Sequence, residues 1–114
     1  MKRDDTIYLR HVLDALSRIE EYLLDIDEEK FLSYHLVQDG VIRQLEIIGE
    51  ATKNLSGELR SAYPTIPWQD IAGMRDKLIH HYFGVDMEKV WLTTQSDLPV
   101  LKVQIQRIIQ DLLY

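Results

Sequence analysis

Apolar residues return at steps of three and four along most of this chain, and that rhythm leaves little room for any fold but packed helices. Leu9, Val12, Leu16, Ile19, Leu23 and Ile26 keep it in a first segment. Phe31, Tyr34, Gln38, Val41, Leu45, Ile48, Thr52 and Leu55 keep it in a second, with polar interruptions at Gln38 and Thr52. Leu98, Leu101, Ile105, Ile108 and Leu112 repeat it near the end. No stretch alternates with period two for long, so strands are not expected. A seam of this length is what nearly antiparallel helices present to one another. The expectation is an all-α chain, an antiparallel bundle of four long helices plus one short helix, forming a single domain over residues 1–114.

Local chemistry sets the boundaries. Asp27 is suited to cap a helix whose first turn holds Glu28 and Glu29, where the helix dipole favours anions. Asn54-Leu55-Ser56-Gly57 offers a stop, with a short helix from Glu58 to Tyr63. The two prolines of Tyr63-Pro64-Thr65-Ile66-Pro67-Trp68 exclude regular helix there, and Pro67 is placed to open a helix running from Trp68 to about Tyr82. Phe83-Gly84-Val85-Asp86 breaks the chain, and Asp86 is suited to cap a helix through Trp91. Pro99 either kinks that helix or begins another after Ser96-Asp97.

Composition removes several functions. A chain of 114 residues can bury a core without staples, and the absence of cysteine excludes disulfides, thiolate metal sites and a cysteine nucleophile. No apolar run approaches the ~20 residues of a membrane span. Met1-Lys2-Arg3-Asp4-Asp5 lacks the apolar core of a signal peptide, so a cytoplasmic location is expected. Nineteen acidic against thirteen basic side chains give 13 − 19 = −6. That balance opposes indiscriminate capture of nucleic acid or anionic lipid, and neither a membrane nor DNA is expected as a partner.

One helix breaks its own pattern. Trp68, Ile71, Arg75, Leu78 and Tyr82 follow the 3–4 step, and Arg75 stands where the seam calls for an apolar side chain. A buried guanidinium is costly unless matched, so the conflict points to function. Asp76, Lys77, His80, His81 and Tyr82 make this the densest patch of ionisable chemistry in the chain. Asp76 and His80, four residues apart, are neighbours on a helix, where the carboxylate can orient the imidazole. Arg75 and His80 diverge by about 140° on an ideal helix. Either the helix distorts before Gly84 or a second copy of the chain completes the site.

Arg75-Asp-Lys-Leu-Ile-His80-His-Tyr82 resembles the R-x4-H-x-Y motif of HepT-like ribonuclease toxins of the HEPN superfamily. Ile47-Ile48-Gly49-Glu50-Ala51, Tyr63 to Trp68 and Ile71-Ala72-Gly73-Met74 precede it in keeping with the resemblance. Val85-Asp86, Val90-Trp91 and Asp97-Leu98-Pro99 follow it. The resemblance implies a HEPN-like helical homodimer whose motif helices line a shared cleft. It also implies a metal-independent endoribonuclease, the toxin of a HEPN/MNT (type VII) toxin–antitoxin pair, acting on RNA. Its antitoxin would be a minimal nucleotidyltransferase that moves AMP from ATP to the motif tyrosine. Matched by position, Arg75 and His80 are catalytic and Tyr82 is the AMP acceptor; Asp76, Glu50 and Lys77 are supporting candidates, and His81 receives no role.

Plainer readings stand beside these. Arg75 could be a structural ion-pair residue meeting Glu46 or Glu50, and Tyr82 a core residue beside Leu78. His80 and His81 diverge by about 100° on a helix, which does not suit a shared metal, so neither metal nor cofactor is expected. His11 and His35 read as surface or satisfied core residues, Trp68 and Trp91 as core anchors, and Gly49 as a point of close helix approach. Lys77 could touch RNA backbone or simply be solvated. The alternative function is a non-catalytic helical module that binds nucleotide or shapes a partner transferase; the third is a dimer used only for assembly. Residues 1–30 carry 5 − 9 = −4 and the rest 8 − 10 = −2, so a small cationic cleft remains compatible with the acidity. Such a cleft would engage few phosphates and show a shallow salt dependence.

Overall fold

The computed structural model describes residues 4–74, 76 and 86–113, and the elements among them are seven helices with no strand. They are α1 (Asp5–Tyr22), α2 (Glu28–Ser33), α3 (His35–Lys53), α4 (Gly57–Ala62), α5 (Trp68–Ala72), α6 (Met87–Gln95) and α7 (Asp97–Leu113). The all-α expectation holds, and the long helices α1, α3 and α7 bury most of the stripes that the 3–4 rhythm marked, although Tyr34 and Leu112 on the same step are exposed. Leu9, Val12, Leu16 and Ile19 of α1 meet Val41, Leu45 and Ile48 of α3 and Leu101, Ile105 and Ile108 of α7 in one core. Each of these side chains is at most 5% exposed, and burial of this kind is the main favourable term in folding. α1 packs most extensively on α3 and next on α7, α5 seats on α3, and α6 lies on α7 and α2. No helix among the described residues is long and apolar enough to cross a membrane.

The second long helix of the sequence reading is divided. Asp27 caps α2 by accepting from Lys30 N–H at 2.8 Å, as its residue type predicts, but Tyr34 adopts φ −108° and ψ 88° and separates α2 from α3. The break frees carbonyls at the end of α2. Gln38 Nε2, buried in the seam, donates to Phe31 O at 2.9 Å and satisfies one of them. The other interruption is also met locally, since Thr52 Oγ1 donates to Ile48 O at 2.8 Å. Gly40 lets the Tyr22 ring lie against α3, because a Cβ there would stand 3.2 Å from Tyr22 Cε2.

Polar contacts tie the shorter elements to this frame. Asp5, fully buried, accepts from Ser56 N–H at 2.8 Å and Ser56 Oγ at 2.7 Å, and Ser56 Oγ in turn accepts from Leu59 N–H at 3.1 Å. One buried carboxylate thereby joins the start of α1 to the start of α4. Lys102 of α7 pairs with Glu20 of α1 at the surface. Pro67 immediately precedes α5 rather than lying inside it. The expected continuous helix from Trp68 is interrupted by a turn at Gly73, after which Met74 and Asp76 are again helical. Pro99 falls in the first turn of α7, where its missing N–H costs nothing, so a new helix begins after Ser96 rather than a kinked one continuing.

Candidate active site

Arg75, Lys77, His80, His81 and Tyr82 lie outside the described residues; Asp76 and Glu50 lie within them. What the structure defines is the frame that delivers the chain into and out of the motif. On the entry side, Trp68 and Ile71 of α5 are buried and Met74 packs against the core. Trp68 Nε1 donates to Tyr63 O at 3.0 Å, which fixes the Tyr63–Pro67 turn ahead of α5. Tyr63 then reaches α7, its hydroxyl donating to Asp111 Oδ2 at 3.0 Å. Burial, then the hydrogen bond to Asp111 and that carboxylate's charge, hold the Tyr63 phenol above its ordinary titration range.

On the exit side, the Asp86 carboxylate accepts from Glu88 N–H at 3.0 Å and Lys89 N–H at 3.2 Å, so the predicted cap is present and α6 starts at a defined point. Met87 packs on the core, and Trp91 lies with its ring 5.4 Å from that of fully buried Phe31. Both tryptophans serve as anchors for the two elements that flank the motif, Trp68 in the core and Trp91 against its edge.

Asp76 is exposed, and Lys53 Nζ of α3 stands 3.4 Å from each of its carboxylate oxygens. The pair links the C-terminal turn of α3 to the residue that follows Arg75. Asp76 thus has a cationic partner 23 positions away that the sequence reading did not identify; the short-range pairing it considered was with His80. Glu50 sits one turn before Lys53 on α3 and is exposed, and its backbone carbonyl accepts from Asn54 Nδ2 at 3.0 Å. Glu50 also lines a cleft of about 280 Å³ between α1 and α3, together with Tyr8, His11, Arg43, Glu46 and Asn54. From the sequence, Glu50, Glu46 and His11 are each considered singly, but not as one group with Tyr8 and Arg43. The available signal was a second stripe on α3, in which Arg43, Glu46, Glu50 and Asn54 recur at steps of three and four beside the apolar seam. His35 begins α3 and is exposed, and Gly49 is buried within it. Among the described residues no group of three or more His, Cys, Asp or Glu is placed to hold a metal ion.

The sequence model of the "Ribonuclease HepT-like" family matches residues 12–108. A Thermococcus cleftensis protein named "Probable ribonuclease HepT" is 45% identical over 108 residues, covering 95% of this chain and 98% of that protein. A Methanocaldococcus jannaschii protein named "Putative RNase" is 43% identical over 111 residues, covering 97% of this chain and 96% of its own length. A second protein of that organism, "Gamma-glutamylcyclotransferase and putative RNase", is 47% identical over 112 residues; the chain spans half of its length. No solved structure matches. The chain belongs to the ribonuclease HepT-like family, and its all-helical frame is the HEPN-like fold expected from the motif.

Proposed function

We propose that this protein is a metal-independent endoribonuclease, the toxin of a HEPN/MNT (type VII) pair, with a cleft shared by two copies of the chain. The observation that carries the reading is the ordered set Arg75, His80 and Tyr82 at R-x4-H-x-Y spacing within a chain of the ribonuclease HepT-like family. The ribonuclease names of its relatives support the same activity. Cleavage of RNA without metal can use the substrate's own 2′-hydroxyl. That oxygen attacks the adjacent phosphorus, the bond to the 5′-oxygen breaks, and the products are a 2′,3′-cyclic phosphate and a 5′-hydroxyl. His80 exchanges the proton, taking it from the 2′-hydroxyl or giving one to the departing 5′-oxygen, because imidazole titrates near neutral pH. Arg75 holds the phosphate and stabilises the charge that builds on its equatorial oxygens through its planar fork of N–H donors.

A symmetric dimer would place two Arg75 and two His80 around one cleft, which resolves their divergence on a single helix. Asp76, held by Lys53, is four residues before His80 and supports the imidazole; Glu50 orients Arg75, and Lys77 contacts the RNA backbone. Regulation runs through Tyr82. Its phenolic oxygen attacks the α-phosphorus of ATP on a partner nucleotidyltransferase, pyrophosphate leaves, and the attached AMP places a charge and a nucleoside where an RNA phosphate must enter.

The test compares RNA cleavage by the wild type, Arg75→Ala and His80→Ala. Each substitution is expected to slow cleavage by about a hundredfold or more, and equal rates would overturn the assignment. Incubation with the transferase, ATP and Mg²⁺ should add the mass of one or more AMP units to wild type and none to Tyr82→Phe.

A further inference from the structure

The cleft between α1 and α3 has no part in the cleavage chemistry described above, apart from Glu50 at its edge. Its volume is about 280 Å³, with Arg43 and Glu46 on the α3 side and Tyr8 and His11 on the α1 side. Arg43 and Glu46 are three residues apart, a spacing at which opposite charges on a helix commonly meet. Among the described residues, however, neither makes an ion pair; Arg43 is exposed, Glu46 is half-buried, and both line the cleft. Ile47 and Ala51 give it an apolar floor. Tyr8 and His11 stand edge to face, ring centroids 6.0 Å apart and planes at 88°, and add an aromatic wall.

This chemistry selects its ligand. With Glu50 assigned to Arg75, Glu46 offsets the Arg43 guanidinium and leaves the cleft no cationic excess to favour a phosphate group. A flat, neutral ring that both donates and accepts hydrogen bonds is favoured, and a nucleobase is such a ring. Guanine fits best: its neighbouring N1–H and N2–H match one carboxylate, and its O6 and N7 match an arginine fork. The location is also apt. Glu50 is one helical turn from Lys53, and Lys53 holds Asp76, which follows Arg75 in the chain.

We propose that the α1–α3 cleft is a guanine-binding subsite that selects a nucleotide close to the cut. The proposal rests on the ribonuclease reading above. It is tested with uridine-rich oligonucleotides carrying a single guanosine, inosine or adenosine. Wild type should cleave the guanosine RNA about tenfold better than the adenosine RNA, at a fixed distance from the guanosine, with inosine between them. Glu46→Gln and Arg43→Ala should each level the two RNAs by raising KM for the guanosine RNA, while kcat and the adenosine reaction stay unchanged. Wild type without base preference, or a preference retained in both variants, overturns the proposal. So does a change of oligomeric state in either variant with the preference intact, which would make the strip a protein interface. Anisotropy with 2′-O-methyl forms of the same oligonucleotides, which lack the attacking hydroxyl, separates the two readings. If wild type cleaves nothing yet binds the guanosine form more tightly through Glu46 and Arg43, the ribonuclease reading fails and the subsite stands. If all three forms bind alike, the subsite fails.

Discussion

The frame made by α1, α3 and α7 and the limb made by α5, Asp76 and the start of α6 are held by different physics. The frame rests on repeated apolar stripes buried in one core. The limb shares that core through Trp68 and Ile71 and adds single contacts: the Trp68 indole on Tyr63, the Tyr63 hydroxyl on Asp111, Lys53 on Asp76, and Trp91 on Phe31. Truncating a side chain in a stripe leaves a cavity in the shared core, whereas the hydrogen bonds and ion pair of the limb can be removed one at a time. The proposed catalytic motif lies in the chain between α5 and α6, so the single contacts of the limb are the ones that flank it.

Three substitutions would break or sharpen this contrast. The largest effect is expected in Phe31→Ala, because Phe31 is fully buried and also supports Trp91. A loss of about 3–5 kcal/mol in urea unfolding is predicted, and a loss below about 1 kcal/mol would contradict the central role of this side chain. Tyr63→Phe comes next, removing the hydrogen bond to Asp111, with an expected loss of about 1 kcal/mol at neutral pH. This difference depends on pH with a defined sign. The phenol titrates higher in the folded protein than in the unfolded chain, so its contribution is complete below about pH 10 and declines as pH rises through the folded value. Unfolding measured from pH 8 to pH 11 should therefore show wild type losing its advantage over Tyr63→Phe; an advantage that grows would contradict the assignment. The smallest effect is expected in Lys53→Ala, since both partners of the Lys53–Asp76 pair are more than a third exposed. Stability should change by less than about 1 kcal/mol. A larger loss would mean that the limb is locked as firmly as the frame.

The same contrast explains what could be read from the sequence. The stripes of α1, α3 and α7 repeat, and repetition is visible in one dimension. Caps at Asp27 and Asp86 are visible because they act on residues two or three positions away. The division at Tyr34 is not visible, since Tyr34 keeps the apolar rhythm and the compensating bond comes from Gln38 across the break. Lys53–Asp76, Asp5–Ser56 and Tyr63–Asp111 join residues 23, 51 and 48 positions apart, and only the folded chain selects them. The proposed motif stands out in the sequence by residue type, because Arg75 falls where the 3–4 step calls for an apolar side chain. The α1–α3 cleft is not visible, because Arg43, Glu46 and Glu50 resemble any solvated helix face until Tyr8 and His11 of α1 are placed beside them.

The most direct test of the ribonuclease account is the identity of the RNA ends produced with EDTA present. Mass analysis of the fragments should show 2′,3′-cyclic phosphate and 5′-hydroxyl termini from wild type, and neither from His80→Ala under the same conditions. Cleavage that vanishes in EDTA and returns with a divalent metal, or identical products from His80→Ala, would contradict it.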